Sequence, residues 1–204
     1  MKKILFALSI VLSCLAVSGC LDLPNNVPPP KTYMLSVKPT VQRHRPLTKD
    51  ILVVRQALAI PPYDNDQFVY RTSHIRYLSD YYHSFLVAPV VQVTEMTMGS
   101  IEAANIFDDV LFADAYLGKR QYVLQPVLVS LYADYRNSTK PCGVVVMRYL
   151  LYRDKDKKIV MNRAFNASIP LAHKTNDALV KAWNQAFANI LTRLNRRLIG
   201  IVDD

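Results

Sequence analysis

In proteins, histidine and the acidic residues are the side chains that most often carry out catalysis or bind metal ions. This 204-residue chain contains both kinds. The acids Asp108, Asp109 and Asp114 are more typical of the solvated face of a helix than of a carboxylate cluster. No GxSxG elbow, SxxK motif or glycine-rich phosphate loop is present. The histidines form no HExxH pair and join no cysteine cluster with zinc spacing: they are His44, His74, His83 and His173. We therefore expect no enzymatic activity, no metal site and no bound cofactor.

Cys20 has the clearest chemistry in the sequence. Two lysines precede an apolar segment, residues 4–17, which is shorter than the ~20 residues that span a membrane and is typical of a secretory signal. The small residues Ser18 and Gly19 stand directly before Cys20, and together they resemble the lipobox of bacterial lipoproteins. The resemblance implies cleavage before Cys20, a diacylglycerol on its sulfur and an acyl chain on its amine. A plain secreted protein with a chance cysteine is the alternative.

The residues after Cys20 predict a tether and one folded domain. We expect a signal peptide at residues 1–19, the lipidated cysteine and a proline-rich tether at residues 20–31, and a single domain at residues 32–204. Because proline favours extended backbone, the tether reaches ~34 Å at most, at ~3.1 Å per residue. The lipoprotein class implies an outer-membrane location on the periplasmic face, because Leu21 and not an acid follows Cys20. Asp22, one place later, leaves the inner membrane as the less favoured alternative.

Composition limits the classes of partner. Hydrophobic residues make up 51% of the chain, which argues against disorder, and the formal net charge is +9. In an exported protein this charge favours anionic phospholipid or lipopolysaccharide headgroups over nucleic acid. Basic side chains scattered for solubility are the alternative. Cys142 has no cysteine partner in the folded domain, and we expect it to be a small buried hydrophobe.

The first half of the domain predicts short strands followed by helices. We expect strands at residues 32–38 and 51–60, the second buried on both faces, and a loop at residues 61–66. Residues 67–78 predict a hairpin that turns at Thr72 and Ser73. A helix is predicted from His83 to Thr97, and a second one, capped by Ser100, to about residue 115.

The second half predicts a meander and a long helix. Strands at residues 121–135, 143–153 and 158–169 are separated by short polar turns, which favours antiparallel pairing. From Asn176, apolar residues recur at helical spacing: Leu179, Trp183, Phe187, Ile190, Leu191, Leu194 and Leu198. A stripe of this kind favours core packing over a ligand cavity. The sequence therefore predicts an α/β fold of the α+β type, with a mixed, largely antiparallel sheet packed by two or three helices.

Tyrosines and arginines are concentrated just before the predicted helices. Tyrosine combines an apolar body with a polar tip and suits interfaces, and arginine is enriched at binding hot spots. Because side chains alternate in direction along a strand, Tyr70 and Arg71 must face opposite ways, as must Arg76 and Tyr77. Packing on the sheet is the alternative to an interface. The candidate partner-binding surface consists of Tyr63, Tyr70, Arg71, Arg76 and Tyr77.

Several motifs in this region resemble one family. They are PPY at residues 61–63, FVYRTS at residues 68–73, IRY at residues 75–77 and, earlier, YML at residues 33–35. These motifs, with the lipobox, the proline spacer, the meander and the terminal amphipathic helix, resemble the ABC-type transport auxiliary lipoproteins. That family includes the lipoproteins of paraquat-inducible and related MCE-type lipid transport systems. The resemblance covers essentially the whole mature chain.

The resemblance implies a non-catalytic docking or receiving component of an intermembrane lipid transport system. Its partners would be an MCE-domain protein and the permease and ATPase of an ABC transporter. Phospholipid and a second copy of the chain are further candidate partners. One alternative is a lipid-binding carrier, which needs an apolar cavity of ~300–1,000 Å³. An envelope hydrolase is a third reading, disfavoured by the missing motifs.

Overall fold

The computed structural model describes residues 29–39, 45–113 and 122–203. The predicted signal peptide, Cys20 and most of the tether lie outside this part of the chain, as do His44 and Asp114. The described elements are β1 (Lys31–Tyr33), β2 (Ile51–Val54), β3 (Leu58–Ala59), β4 (Gln67–Arg71), β5 (Tyr77–Phe85), α1 (Pro89–Ala104), β6 (Asp109–Phe112), β7 (Tyr122–Asp134), β8 (Cys142–Arg153), β9 (Lys158–Pro170) and α2 (Asn176–Val202).

Strand β7 organises a mixed sheet that contains all nine described strands. One edge of β7 pairs antiparallel with β8, and β8 pairs antiparallel with β9. The other edge pairs in turn with the short parallel strands β2, β3 and β4. Strand β6 lies beside β2, β5 beside β4, and β1 beside β5. The two longest ladders are antiparallel, so the predicted α/β fold with a mixed sheet and a meander is confirmed.

Helix α2 covers the meander with the predicted stripe. The Thr175 side chain accepts a hydrogen bond from the Ala178 amide (3.2 Å) and caps the helix, and Asp177 lies in its first turn. All seven residues of the stripe are buried. The Trp183 indole donates to the carbonyl of Tyr132 (3.2 Å), and its ring lies 4.9 Å from that of Phe68. Trp183 is therefore a core residue.

Helix α1 begins later than the sequence predicted. Residues 83–85 belong to β5, because the rigid φ of Pro89 suits the first turn of a helix and disfavours helical backbone at Ala88, which is extended. The helix then continues through Ser100 and ends with Asn105 in the left-handed conformation. The predicted helix at residues 100–115 is therefore wrong. Strand β6 follows instead, so the described residues contain two helices.

Two further expectations need correction. The strand predicted at residues 51–60 is divided into β2 and β3, although Leu52, Val53 and Val54 are buried on both faces as predicted. The first strand is limited to Lys31–Tyr33. Cys142 is a free thiol and half-buried instead of buried, because it lies at the start of β8 beside an exposed turn.

Polar side chains of α1 join it to the segments that follow β1 and β2. The Gln92 side chain accepts a hydrogen bond from the Leu35 amide (2.6 Å) and donates to the carbonyl of Val87. The Thr94 hydroxyl accepts from the Ala57 amide (2.8 Å). These bonds satisfy backbone groups that the short strands leave unpaired, and so they fix α1 against the half of the sheet that contains the hairpin.

Candidate interaction surface

The tyrosine hairpin, which we define as β4, β5 and their connection (residues 67–85), carries most of the candidate residues. Its strands pair antiparallel, with Arg71 opposite Tyr77 and Tyr70 opposite Leu78. The Ser73 hydroxyl accepts hydrogen bonds from the amides of Ile75 and Arg76 and so fixes the turn. Strand β5 continues to Phe85, so the hairpin is longer than predicted.

The side of the hairpin that faces α2 is a hydrogen-bonded network. The Tyr70 hydroxyl donates to Asp80 (2.6 Å) and lies 3.0 Å from the side-chain oxygen of Asn176, at the start of α2. Asp80 also accepts from the amides of Tyr82 (2.8 Å) and His83 (3.2 Å), and its other oxygen lies 2.7 Å from the His83 ring. Tyr70 therefore joins the hairpin to the helix.

The charges in this network follow from its contacts. Burial acts to raise the pKa of the Asp80 carboxyl, but hydrogen bonds from Tyr70, the Tyr82 amide and His83 outweigh it, so that pKa lies below its usual range. Burial, and next the hydrogen bond to Asp80, raises the pKa of the Tyr70 hydroxyl. Both shifts favour a neutral phenol that donates to a charged carboxylate at neutral pH.

The opposite side of the hairpin is an aromatic cluster around one guanidinium. The Arg71 guanidinium carbon lies 5.3 Å from the ring centroid of Tyr77 and 6.0 Å from that of Tyr132, within cation–π range. Tyr132 in turn lies 6.3 Å from Tyr63, stacked, and 5.8 Å from Tyr77, edge to face. Arg71 also donates to two carbonyls in the turn. The cluster holds Arg71 in one position.

The exposed part of the hairpin includes a group of large apolar side chains. Strand β1 pairs with β5 only at residues 83–85, so the outer edge of residues 77–82 faces no described strand. Side chains along and just before this edge are unusually exposed for their type: Ile75 (93%), Tyr81 (76%), Leu78 (50%) and Tyr77 (41%). We call Ile75, Tyr77, Leu78 and Tyr81 the exposed apolar edge. Apolar residues grouped in this way mark interaction sites.

The five predicted surface residues occupy different environments. Arg76 and Tyr77 are exposed, whereas Tyr70 and Arg71 are half-buried, and Tyr63 is only 9% exposed. Tyr70 and Arg71 point to opposite faces, as the alternation predicted. Ile75, Leu78 and Tyr81 were not part of the partner-binding surface predicted from the sequence. Tyr81 lies beyond the predicted hairpin, because the polar residues of β5 concealed the rest of the strand. Ile75 and Leu78 lie within the predicted hairpin, but the open edge beside them is defined only by the fold.

The carrier alternative requires an apolar cavity, and one surface groove can be compared with that requirement. One groove of about 360 Å³ lies between α1 and β6 and is lined by Gln56, Val91, Thr94, Glu95, Met98 and Phe112. Its volume is near the lower limit for a small-molecule site. Glu95, a carboxylate, lies on the lining beside apolar residues. The groove is therefore better suited to a short apolar group than to two complete acyl chains.

The described residues contain neither a candidate metal cluster nor a helix suited to cross a membrane. No three of their histidine, cysteine, aspartate and glutamate side chains are grouped so that they would hold a metal ion. Neither of the helices in this part of the chain combines the length and apolar character needed to cross a membrane.

Comparison with known proteins places the fold. No protein-family model matches the sequence, and no curated protein matches it. The crystal structure of protein XCC0632 from Xanthomonas campestris, of the family model DUF330, has a TM-score of 0.75 at 16% identity, and the match covers 85% of this chain and 97% of that one. A second crystal structure, of an uncharacterized protein, has a TM-score of 0.63 at 17% identity and covers 79% and 99%.

A more distant structure has the same fold. The hypothetical protein CT253 from Chlamydia trachomatis has a TM-score of 0.54 at 9% identity, and the match covers 76% of this chain and 98% of that one. Each of these proteins is matched over nearly its whole length, so the similarity concerns a whole domain and not a fragment of one. At such identities function must be argued from the residues of this chain.

Proposed function

We propose that this protein is a lipid-anchored periplasmic lipoprotein that serves as a non-catalytic docking component of an ABC/MCE-type intermembrane lipid transport system. The observation that carries the proposal is the exposed apolar edge of β5. The same strand pairs with β1 farther along, at residues 83–85, and β1 follows the proline-rich tether and Cys20 directly in the sequence. A lipid on Cys20 would hold this edge close to the membrane to which a transport complex is attached.

The chemistry of the edge supports a protein partner. An open strand edge offers backbone N–H and C=O groups to a partner strand, and the exposed tyrosines add large rigid contacts at low entropic cost. The aromatic cluster behind the edge fixes Arg71 and Tyr77 before any partner binds. An MCE-domain protein of the transport system is the partner that we propose, on the strength of the resemblance in the PPY, FVYRTS and IRY motifs. The outer membrane is the proposed location.

The carrier function is a second candidate because of the groove between α1 and β6. It requires an acyl chain to bind among Val91, Met98 and Phe112. The docking function is favoured because Leu78 and Tyr81 are outside the core, where they contribute little to folding and remain available to a partner.

Affinity purification of the full-length lipoprotein from membranes, with mass spectrometry of co-purifying proteins and lipids, tests the proposal. Leu78→Ser and Tyr81→Ser should reduce recovery of an MCE-domain partner at least tenfold, without lowering the melting temperature. Leu58→Ser is the matched control, because Leu58 on β3 is 57% exposed and Leu78 is 50% exposed. Equal loss of the partner in the control would contradict the docking surface. Recovery of phospholipid with no partner protein would favour the carrier.

A further inference from the structure

A groove at the opposite edge of the sheet from the hairpin is lined by arginine. It lies between β9 and the second half of α2, and its volume is about 450 Å³. Two lining residues, Ala164 and Phe165, are apolar. The other four are Arg163, Arg193, Arg196 and Arg197.

Local geometry brings these arginines together. Residues 193, 196 and 197 are three and four positions apart on α2, a spacing that places side chains next to one another on a helix. Arg163 and Phe165 are two residues apart on β9 and so share the face that packs against α2. One arginine lies on β9 and three lie on α2, and the fold places these two elements next to each other.

The charge of the groove is not neutralised by the described residues. The ion pairs in this part of the chain involve Asp80, Asp134, Asp154 and Asp156, and none of these carboxylates pairs with an arginine of the groove. Neighbouring like charges on a helix oppose folding. A cluster that carries such a cost without an internal counterion is suited to an anion from outside.

One of the guanidinium groups is already held in position. Arg193 donates through Nη1 to the carbonyl of Asn166 (2.9 Å), and its guanidinium carbon lies 5.3 Å from the ring centroid of Phe165. These contacts use one edge and one face of a group that has five N–H donors. The remaining donors of Arg193 stay available beside Arg163, Arg196 and Arg197.

We propose that this groove binds a phosphate group. Guanidinium groups form paired hydrogen bonds to phosphate oxygens, and several of them arranged around one space match a tetrahedral anion better than a planar carboxylate. The apolar residues Ala164 and Phe165 would accept the organic part of a phosphate ester, as in the headgroup and glycerol of a phospholipid. Free phosphate and a lipid headgroup present the same chemistry. The inference rests on the arginines and does not require the docking function.

Isothermal titration calorimetry of the full-length protein in dodecyl maltoside micelles tests the site. The probes are inorganic phosphate and dihexanoyl phosphatidylglycerol below its micelle concentration, with hexaglutamate as an acidic peptide. The double variant Arg193→Gln/Arg197→Gln should weaken phosphate-probe binding at least tenfold. Arg196→Gln, a residue for which the structure describes no hydrogen bond, should weaken it about threefold and provides a second test if the double variant folds poorly. Lys181→Gln is the control, an exposed charge about 18 Å along the same helix.

The outcomes separate the sources and the alternatives. Binding of both phosphate probes with similar affinity identifies free phosphate as sufficient, and binding of the lipid alone identifies the headgroup with its glycerol. Neither probe binding the wild-type protein would overturn the proposal. So would an equal loss in Lys181→Gln, since that shows only long-range charge, or tighter binding of hexaglutamate than of both phosphate probes.

Discussion

Replacing Trp183 by Ala removes the largest fully buried side chain in the described structure. The indole lies between the hairpin and the meander: its ring centroid is 4.9 Å from that of Phe68 and 5.6 Å from that of Phe85, and its N–H donates to the Tyr132 carbonyl. Loss of a buried aromatic side chain costs ~3–5 kcal/mol, through lost transfer free energy and the cavity left behind. For a chain of this length each kcal/mol lowers the melting temperature by about 2–4 °C, so the expected fall is about 6–20 °C.

Circular dichroism melts and urea titrations of the full-length protein in detergent micelles measure this loss. Trp183→Phe should cost less than half as much, because Phe keeps the ring contacts and loses part of the volume and the hydrogen bond, worth ~1 kcal/mol. Lys181→Ala, an exposed change on the same helix, should stay within about 0.5 kcal/mol. A loss below about 1 kcal/mol for Trp183→Ala, accompanied by weaker phospholipid binding, would refute the core assignment and place Trp183 in a ligand site.

Three further predictions concern other parts of the chain. Tyr70→Phe should destabilise the protein by ~1.5–3 kcal/mol at pH 7, because Asp80 loses a charge-assisted donor. The difference in unfolding free energy between the variant and the wild-type protein should shrink below about pH 4. The lowered pKa of Asp80 contributes stability only while the carboxyl is charged. The raised pKa of Tyr70 predicts that the wild-type protein, and not Tyr70→Phe, loses additional stability above about pH 10, which pH-dependent urea titrations measure. Gly143→Ala should lower the free energy of unfolding by ~1–3 kcal/mol, because the added Cβ would lie 3.0 Å from the Trp183 ring and 3.1 Å from the Ala182 Cβ. A melting temperature near that of the wild-type protein would contradict this and show that α2 shifts freely. Cys20→Ser should abolish acylation and cleavage before residue 20, since only the sulfur accepts diacylglycerol. Mass spectrometry of the mature N-terminus measures both. An unmodified terminus at another residue of the wild-type protein would contradict the lipoprotein interpretation.

The meander and α2 were predictable because their signals are local. Each meander strand is 12–13 residues long and is bounded by a polar turn, and the stripe on α2 repeats over seven apolar residues. On the buried side of β8, Val145, Met147, Tyr149 and Leu151 are fully buried. Patterns of this kind do not depend on distant parts of the chain.

The boundary between β5 and α1 was not predictable from the same reasoning. Strand β5 contains Ser79, Asp80 and His83, polar residues that usually lower strand propensity. The Asp80 side chain is hydrogen-bonded to His83 and Tyr70. Apolar residues at 85, 86, 90, 93 and 96 then imitate a helical face across the boundary. Pro89 was the correct marker, because it fits the first turn of a helix and not the interior.

The parallel pairings are a third case, in which the sequence carries no local signal. Strands β2, β3 and β4 occupy one edge of β7 although between 63 and 70 residues separate the paired positions, as in Val54 with Leu124 and Tyr70 with Ala133. The same distance explains Tyr63, which the sequence placed on the surface. Its stacking partner Tyr132 is on β7, so burial of Tyr63 depends on a pairing made far along the chain.

The hairpin combines two requirements that the sequence alone presented as alternatives. Tyr70, Asp80 and His83 fix its inner side to α2, and Arg71 with its tyrosines fixes the outer side, so the strands hold their position without any partner. Because both faces are already held in this way, Leu78 and Tyr81 remain exposed and available to a partner. If Cys20 carries the lipid, the tether limits this edge to a few tens of ångströms from the bilayer. A rigid, apolar, membrane-proximal strand edge is the form that a docking site requires, and a carrier has no need of it.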